Sequence, residues 1–318
     1  MINFIRRSFI GASFFTVILL GVFWTLYVSG LAEKPEWYEY VLPPVFILAT
    51  CMMLAFLNDR FSLFPERTYW IMICYAGITC CFPRVYSSPE SFSSAFLISL
   101  ALFSLVYSAF VSATRVGPFM TAFFITCAGL IHFPAFFMFV PFLISFLRLA
   151  KVSPKDIVAF AGGIAAPLTL ASFVVWFRGH DPWQYLLGIV NHFSEWSFSV
   201  AINEYPVTEI VLVSFIAFLV LFAFYRLLLH AEATTTVITS RFYETLFWIL
   251  LCSLVVFAGY PAYRSSFIPV ILLPVSIMLT SLFVDRKSFW AHVLLFCLYL
   301  LLTGHYVLSN YFPELLGE

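Results

Sequence analysis

Along this chain long apolar runs alternate with short charged or Pro/Gly-rich turns, and the spacing predicts a series of helices. They fall near Ser8–Leu31, Pro43–Leu57, Thr68–Phe82, Phe92–Val111, Ile157–Phe177, Thr208–Leu229, Thr245–Tyr260, Ser266–Val284 and Phe289–Leu308. About 20 apolar residues at 1.5 Å each cross the ~30 Å hydrocarbon core of a bilayer, so runs of this kind read as spans. The run after Arg6 and Arg7 is too long for a signal-peptide core, which makes it a retained first helix with the two arginines as inside anchors.

One stretch does not fit. Val116 to Leu147 is 32 residues without a charge, too long for one ordinary span and short for two, and it is interrupted by His132 and Pro134. Basic residues stay on the cytoplasmic side of short loops, and that bias decides the matter. A hairpin turning at His132–Pro134 gives eleven spans with the N-terminus inside and the C-terminus outside. Twelve of the sixteen basic residues then lie inside, leaving only Lys34, Arg84, Arg178 and Arg264 outside. A single helix would leave seven inside and nine outside. Pro134 suits the first turn of the second helix, where its missing N–H has no intrahelical partner anyway. The expected architecture is thus all-α: one integral membrane domain over 1–318, with the short pair flooring a cavity open to the outside.

The longest connection, Arg178 to Val207, falls outside on this topology. Asp181 followed by Pro182 is a helix start, with Gln184 at capping-box spacing. Trp183, Leu186, Leu187, Val190 and Phe193 recur at helical spacing opposite Gln184, Asn191 and Glu195. This predicts an amphipathic helix near 182–196 lying on the outer surface as a lid beside the cavity.

Composition adds class and exclusions. Apolar residues make up 63% of 318 positions and charged residues 10%, far from the roughly one quarter charged of soluble domains. A formal charge of zero argues against nucleic acid as a partner; membrane lipids are the expected surroundings. The seven cysteines sit in or at the ends of apolar runs with no CxxC spacing, and read as small buried hydrophobes. No HxxxH or HxxH pair exists among the six histidines, so no metal and no cofactor is implied. "GGIAAP" at 162–167 lacks the lysine of a phosphate loop and reads as close helix packing.

The remaining chemistry is on the outer side. Arg84, Arg178 and Arg264 stand on separate loops, and guanidinium forks suit phosphate oxygens. With His132 they form the candidate phosphate-binding set. His192 and Glu195 at i, i+3 can share a proton, and a carboxylate here can act as general base toward a hydroxyl. The candidate catalytic residues are Glu195, His192 and, in the first outer loop, Glu36.

"SSPESFSSAFLISLALFSLVYSAF", then a basic turn and "TAFFITCAGLIHFPAFFMFVPFLISFLRL", resembles the recurring helix pattern of GT-C membrane glycosyltransferases and related oligosaccharide polymerases. "YRSSFIPVILLPVSIM" is similar to their late segment. A closer likeness, through "LNDRFSLFPERTYW", is to polytopic bacterial envelope proteins with no assigned activity. The GT-C resemblance implies a bacterial inner-membrane protein of envelope glycan or lipid assembly, taking a polyprenyl-phosphate-linked sugar. The chain departs from that pattern in its short first loop, "AEKPEWYEYVL", where Glu33, Glu36 and Glu39 replace a paired acidic motif. Two other functions fit the same helices: a non-enzymatic subunit holding a protein partner in the membrane, and a transporter or flippase, which the scarcity of charges within the spans disfavours.

Overall fold

The computed structural model describes residues 8–29, 37–64, 68–82, 85–86, 88–110, 116–149, 153–197, 207–234, 237–284 and 289–311. Among these every regular element is helical. In chain order the α-helices are α1 (Phe9–Ser29), α2 (Trp37–Phe61), α3 (Trp70–Cys80), α4 (Pro89–Phe110), α5 (Val116–Ile131) and α6 (Phe139–Leu149). They continue as α7 (Pro154–Phe177), α8 (Pro182–His192), α9 (Val207–Thr234), α10 (Val237–Gly259), α11 (Arg264–Phe283) and α12 (Phe289–Tyr311). Seven described helices are long and apolar enough to cross a membrane, and four apolar ones of 10–17 residues are shorter, as expected of a polytopic membrane protein.

The chain divides into two compact units. Unit 1 comprises 1–92, 201–235 and 272–318; unit 2 comprises 93–200 and 236–271.

Unit 1 is organised around α3, whose residues Ile71 to Cys80 are all buried. Helices α1, α2 and α12 pack on it. Gly77 lets the Tyr299 ring approach, since a Cβ there would lie 3.1 Å from the ring edge. Asn58 Nδ2 donates to the Thr68 carbonyl at 2.9 Å, tying the end of α2 to the start of α3. The helix containing Pro43 and Pro44 begins six residues before the expected start at Pro43. Helical geometry extends back through the aromatic Trp37–Tyr40 turn, and the prolines only remove the donors that would meet the carbonyls of residues 39 and 40.

Unit 2 holds the stretch of uncertain span. A continuous helix would separate Phe119 from Phe146 by about 40 Å. Instead both reach the same part of α7: a Cβ on Gly163 would lie 2.3 Å from the Phe119 carbonyl oxygen, and the Phe146 ring stacks on Phe160 at 5.9 Å. The chain therefore reverses at His132, as the charge bias requires. "GGIAAP" is close packing, as read from the sequence. The second leg opens as a six-residue 3-10 turn, Phe133–Met138, rather than directly as α-helix. Pro134 sits in its first turn, and Phe136 folds back so far that a Cβ on Gly129 would lie 2.6 Å from its ring. This tighter winding is longer than the usual three or four residues of such turns and buries Pro134, Ala135 and Met138 while the three phenylalanine rings stay half-buried.

Candidate functional site

Three segments of unit 2 meet at one end: the turn at His132, the end of α8, and the connection from α10 to α11. Helix α10 runs beside α6, with Ser253 near Met138 and with Glu244 bonded to Arg148, which brings Tyr260 against Phe133 and Phe137 at 6.0 and 5.3 Å between ring centroids. Gly259 has no side chain because Trp196 occupies that space; a Cβ would lie 2.4 Å from its ring. The Ser197 N–H donates to the Gly259 carbonyl at 3.0 Å, and the Tyr260 hydroxyl donates to the carbonyls of His192 and Phe193, both at 3.4 Å. These contacts tie the end of the 182–196 segment to α10.

Helix α8 forms as its sequence directs. Asp181 Oδ1 accepts from the Trp183 N–H at 2.9 Å, and Pro182 occupies the first turn. Before it, α7 ends in a paired closure: the Gly179 N–H donates to Trp176 O at 2.9 Å and the His180 N–H to Val175 O at 3.1 Å. Gly179 takes φ +81°, which a residue with a Cβ adopts only with strain. The segment finishes as a 3-10 turn, Phe193–Glu195.

Of the candidate residues, four gather at this end. His192 Nδ1 and Glu195 Oε1 are 3.0 Å apart, with side chains 44% and 52% exposed, and the His192 ring lies 5.2 Å from Phe133. The Glu195 carboxylate is close enough to Tyr260 that, after burial, its charge is the next cause raising that phenol's pKa. His132 is 4% exposed, packed edge-on to Tyr263 at 5.7 Å and stacked on Phe267 at 6.1 Å. At this turn, between the apolar helices it joins, burial lowers the imidazole pKa to about 4, so the ring is neutral at pH 7. Its Nε2 has no hydrogen-bond partner. A buried unpaired nitrogen costs about 1–3 kcal/mol, a cost that marks the position.

Arg264 opens α11, 6% exposed, with Nε donating to the Phe257 carbonyl at 3.3 Å. A cation in the first turn of α11 opposes that helix's dipole by about 0.3–1 kcal/mol, and its bond to a last-turn carbonyl of α10 offsets that cost.

Arg178 stands apart. It is exposed, in the turn before α8, and the eleven residues of that helix put about 16 Å between the turn and the His192 end. Arg84 and Glu36 lie outside the described residues. Of the first-loop carboxylates the structure describes Glu39, in the first turn of α2 and within electrostatic reach of Tyr27.

The sequence reading gave no role to Tyr260, Tyr263 and Phe133, which with Trp196 build the end. The signal available was the "GYPAYR" run itself, in which aromatic residues flank a proline and a buried arginine. No group of His, Cys, Asp or Glu among the described residues has metal-binding geometry, and the described cysteines are free thiols. His305 bonds Thr208 at 3.2 Å in unit 1.

The gathered groups offer a hydrogen-bonded carboxylate–imidazole pair, a buried cation and aromatic walls: a base, an anion stabiliser and a surface for a polar ring. Comparisons with family models, with curated proteins and with solved structures find no match to this chain.

Proposed function

We propose that this is a GT-C-like protein of the bacterial inner membrane, with eleven crossings and its N-terminus inside. In this reading it transfers sugar at its outer face from a polyprenyl-phosphate-linked donor to an acceptor hydroxyl. The observation that carries the reading is the meeting of the His192–Glu195 pair with buried Arg264 and with His132, whose Nε2 has no partner, at one end of unit 2. The charge bias along the chain assigns that end to the outside.

Glu195 takes the proton of the acceptor hydroxyl, with His192 orienting the carboxylate. The acceptor oxygen bonds to the anomeric carbon as the bond from that carbon to the phosphate oxygen breaks. The isoprenoid phosphate leaves with the electron pair, and the fixed charge of Arg264 stabilises it. Nothing is oxidised and no metal is required for the balance.

The test is purification from native membranes with mass spectrometry of bound lipid, beside Glu195→Gln and Arg264→Ala. The wild type is expected to carry an isoprenoid-phosphate-linked sugar, with the donor accumulating in membranes of either variant. Unchanged lipid-linked intermediates in both variants would overturn the mechanism, and a stoichiometric protein in place of the lipid would favour a non-enzymatic subunit.

A further inference from the structure

Of the four candidate residues gathered at one end of unit 2, His132 is the one to which the proposed reaction gives no task. Glu195 takes the proton, His192 orients it and Arg264 supplies the charge. The His132 ring is neutral at pH 7 and brings no charge to a phosphate. Yet it is 4% exposed, and its Nε2 has no hydrogen-bond partner. A buried polar atom left unpaired is rare in a folded protein, and at a functional site it is a place kept for a group that arrives with a ligand.

The chemistry of the nitrogen restricts that group. In a neutral imidazole Nε2 either donates or accepts, according to which nitrogen carries the proton. An ammonium only donates and an anion only accepts, whereas a hydroxyl does both and pairs with either tautomer. Two rings flank the imidazole. Phe267, stacked on it at 6.1 Å, is 1% exposed, while Tyr263, edge-on at 5.7 Å, is half-buried. Of the two, only Tyr263 reaches the surface, so it marks the side from which a ligand comes. Its hydroxyl forms no hydrogen bond with a described residue and is a second donor and acceptor on that path. The Glu195 carboxylate lies within electrostatic reach of Tyr263, and Arg264 follows Tyr263 in the chain. A group held by Tyr263 and His132 is therefore a neighbour of both the base and the cation.

We propose that His132 Nε2 and the Tyr263 hydroxyl bind one neutral hydroxyl of the donor sugar and so select which sugar is transferred. The inference rests on the proposed function for the presence of a sugar at this end. It gives His132 a sugar contact in place of the phosphate contact expected from the sequence, and leaves the phosphate to Arg264. The hydroxyl is admitted when the Tyr263 side chain turns outward, a rotation open to a half-buried ring. The cost in stability of the unpaired nitrogen is then the counterpart of recognition.

The experiment purifies the full chain from native membranes as wild type, His132→Phe and Tyr263→Phe, with a detergent wash that leaves the wild type partly occupied. Mass spectrometry then counts, per protein, the isoprenoid-phosphate-linked sugar and the sugar-free isoprenoid phosphate. Both variants keep a ring at the substituted position, so the packing on Phe267 and on Tyr260 is retained. His132→Phe is expected to carry roughly fivefold less of the sugar-linked lipid, as the loss of one neutral hydrogen bond implies, and Tyr263→Phe about twofold less. The sugar-free lipid is expected to be unchanged in both. Equal retention of the sugar-linked lipid by wild type and His132→Phe overturns the inference and leaves the proposed function standing. A parallel fall in the sugar-free lipid puts His132 at the phosphate or in the packing, and overturns the inference as well. A wild type that carries no sugar-linked lipid overturns both.

Discussion

At the Arg148 end of unit 2, charge is exposed and paired. Arg148 meets Glu244 at 2.9 Å with side chains 57% and 47% exposed, Arg241 donates to the Arg148 carbonyl, and Asp156 accepts from the Ser153 N–H and hydroxyl at the start of α7. Every one of these contacts caps a helix or links two neighbours. At the His132 end an arginine is buried in the first turn of its helix, an imidazole nitrogen is buried without a partner, and a half-exposed ion pair is set among rings. Polar groups at the first end serve the fold. At the second, the buried and unpaired Nε2 of His132 opposes it, and a group that works against stability is where function is to be sought.

The largest effect expected from that contrast is on the Glu195 carboxylate. Glu195→Gln keeps the size and the hydrogen-bonding reach toward His192 but cannot take a proton, so the proposed sugar transfer should fall by about 10²–10⁴-fold. Thermal unfolding in detergent should not move, because the side chain is half exposed. A variant that transfers at the wild-type rate would reduce the pair to a solvated helix end, and the contrast between the two ends would lose its functional meaning.

Next comes the reversal that creates the His132 end. Gly163→Ala places a methyl 2.3 Å from the Phe119 backbone oxygen, which cannot swing aside, whereas the same change at Gly162 meets only the Phe119 ring at an ordinary 3.7 Å. Forcing α5 off α7 should cost at least the ~1–3 kcal/mol of an overpacked core, read as a lower unfolding midpoint and loss of monodisperse protein, with Gly162→Ala close to wild type. Equal behaviour of the two variants would mean that α5 does not lie on this face of α7.

His132 gives a change of sign. The folded pKa, about 4, is below the ordinary 6.5, so the neutral ring is the form the fold accepts. Its stabilisation is complete above pH 6.5 and is lost as pH falls toward 4, by roughly 3 kcal/mol in all. His132→Phe keeps a ring between Tyr263 and Phe267 and removes the unpartnered nitrogen. The variant should be more stable than wild type at pH 7 by about 1–2 kcal/mol and should lose less stability between pH 7 and 5. His192, Glu195 and Arg264 remain in both proteins, so the difference between the two pH profiles isolates residue 132. A less stable variant with the same acid sensitivity would show that the nitrogen has a partner in the membrane.

The elements were legible because a bilayer leaves the backbone few choices: each polar group must be bonded within its own segment, so apolar runs between turns become helices. Asp181–Pro182 and the reversal at His132 were legible as well, the first from capping chemistry and the second from where lysine and arginine fall. The site was legible only in part. His192 with Glu195 follows from helical spacing, and so do the sixteen or so ångströms that α8 puts between Arg178 and the His192 end, but that Arg264 comes to this end depends on how α10 and α11 pack, which spacing along the chain does not determine. The aromatic walls were hidden for another reason. With forty phenylalanines, sixteen tyrosines and eight tryptophans, no single ring stands out until the packing of Trp196 on Gly259 selects it.

The smallest effect belongs to the Arg148 end and is the control for the others. Arg148→Ala removes the ion pair with Glu244, but both partners are about half exposed and water can solvate what remains. Exposed pairs contribute only about 0.2–1 kcal/mol, and less in salt. The Arg241 bond to the residue 148 carbonyl is a backbone contact that survives the substitution, so α6 stays capped. Transfer activity should be unchanged, and the unfolding midpoint should drop slightly, with the drop vanishing at about 1 M salt, where the screening length is near 3 Å. A loss of activity as large as that of Glu195→Gln, in protein that is still folded, would put the chemistry at this end of unit 2 and overturn the assignment made from buried against exposed charge.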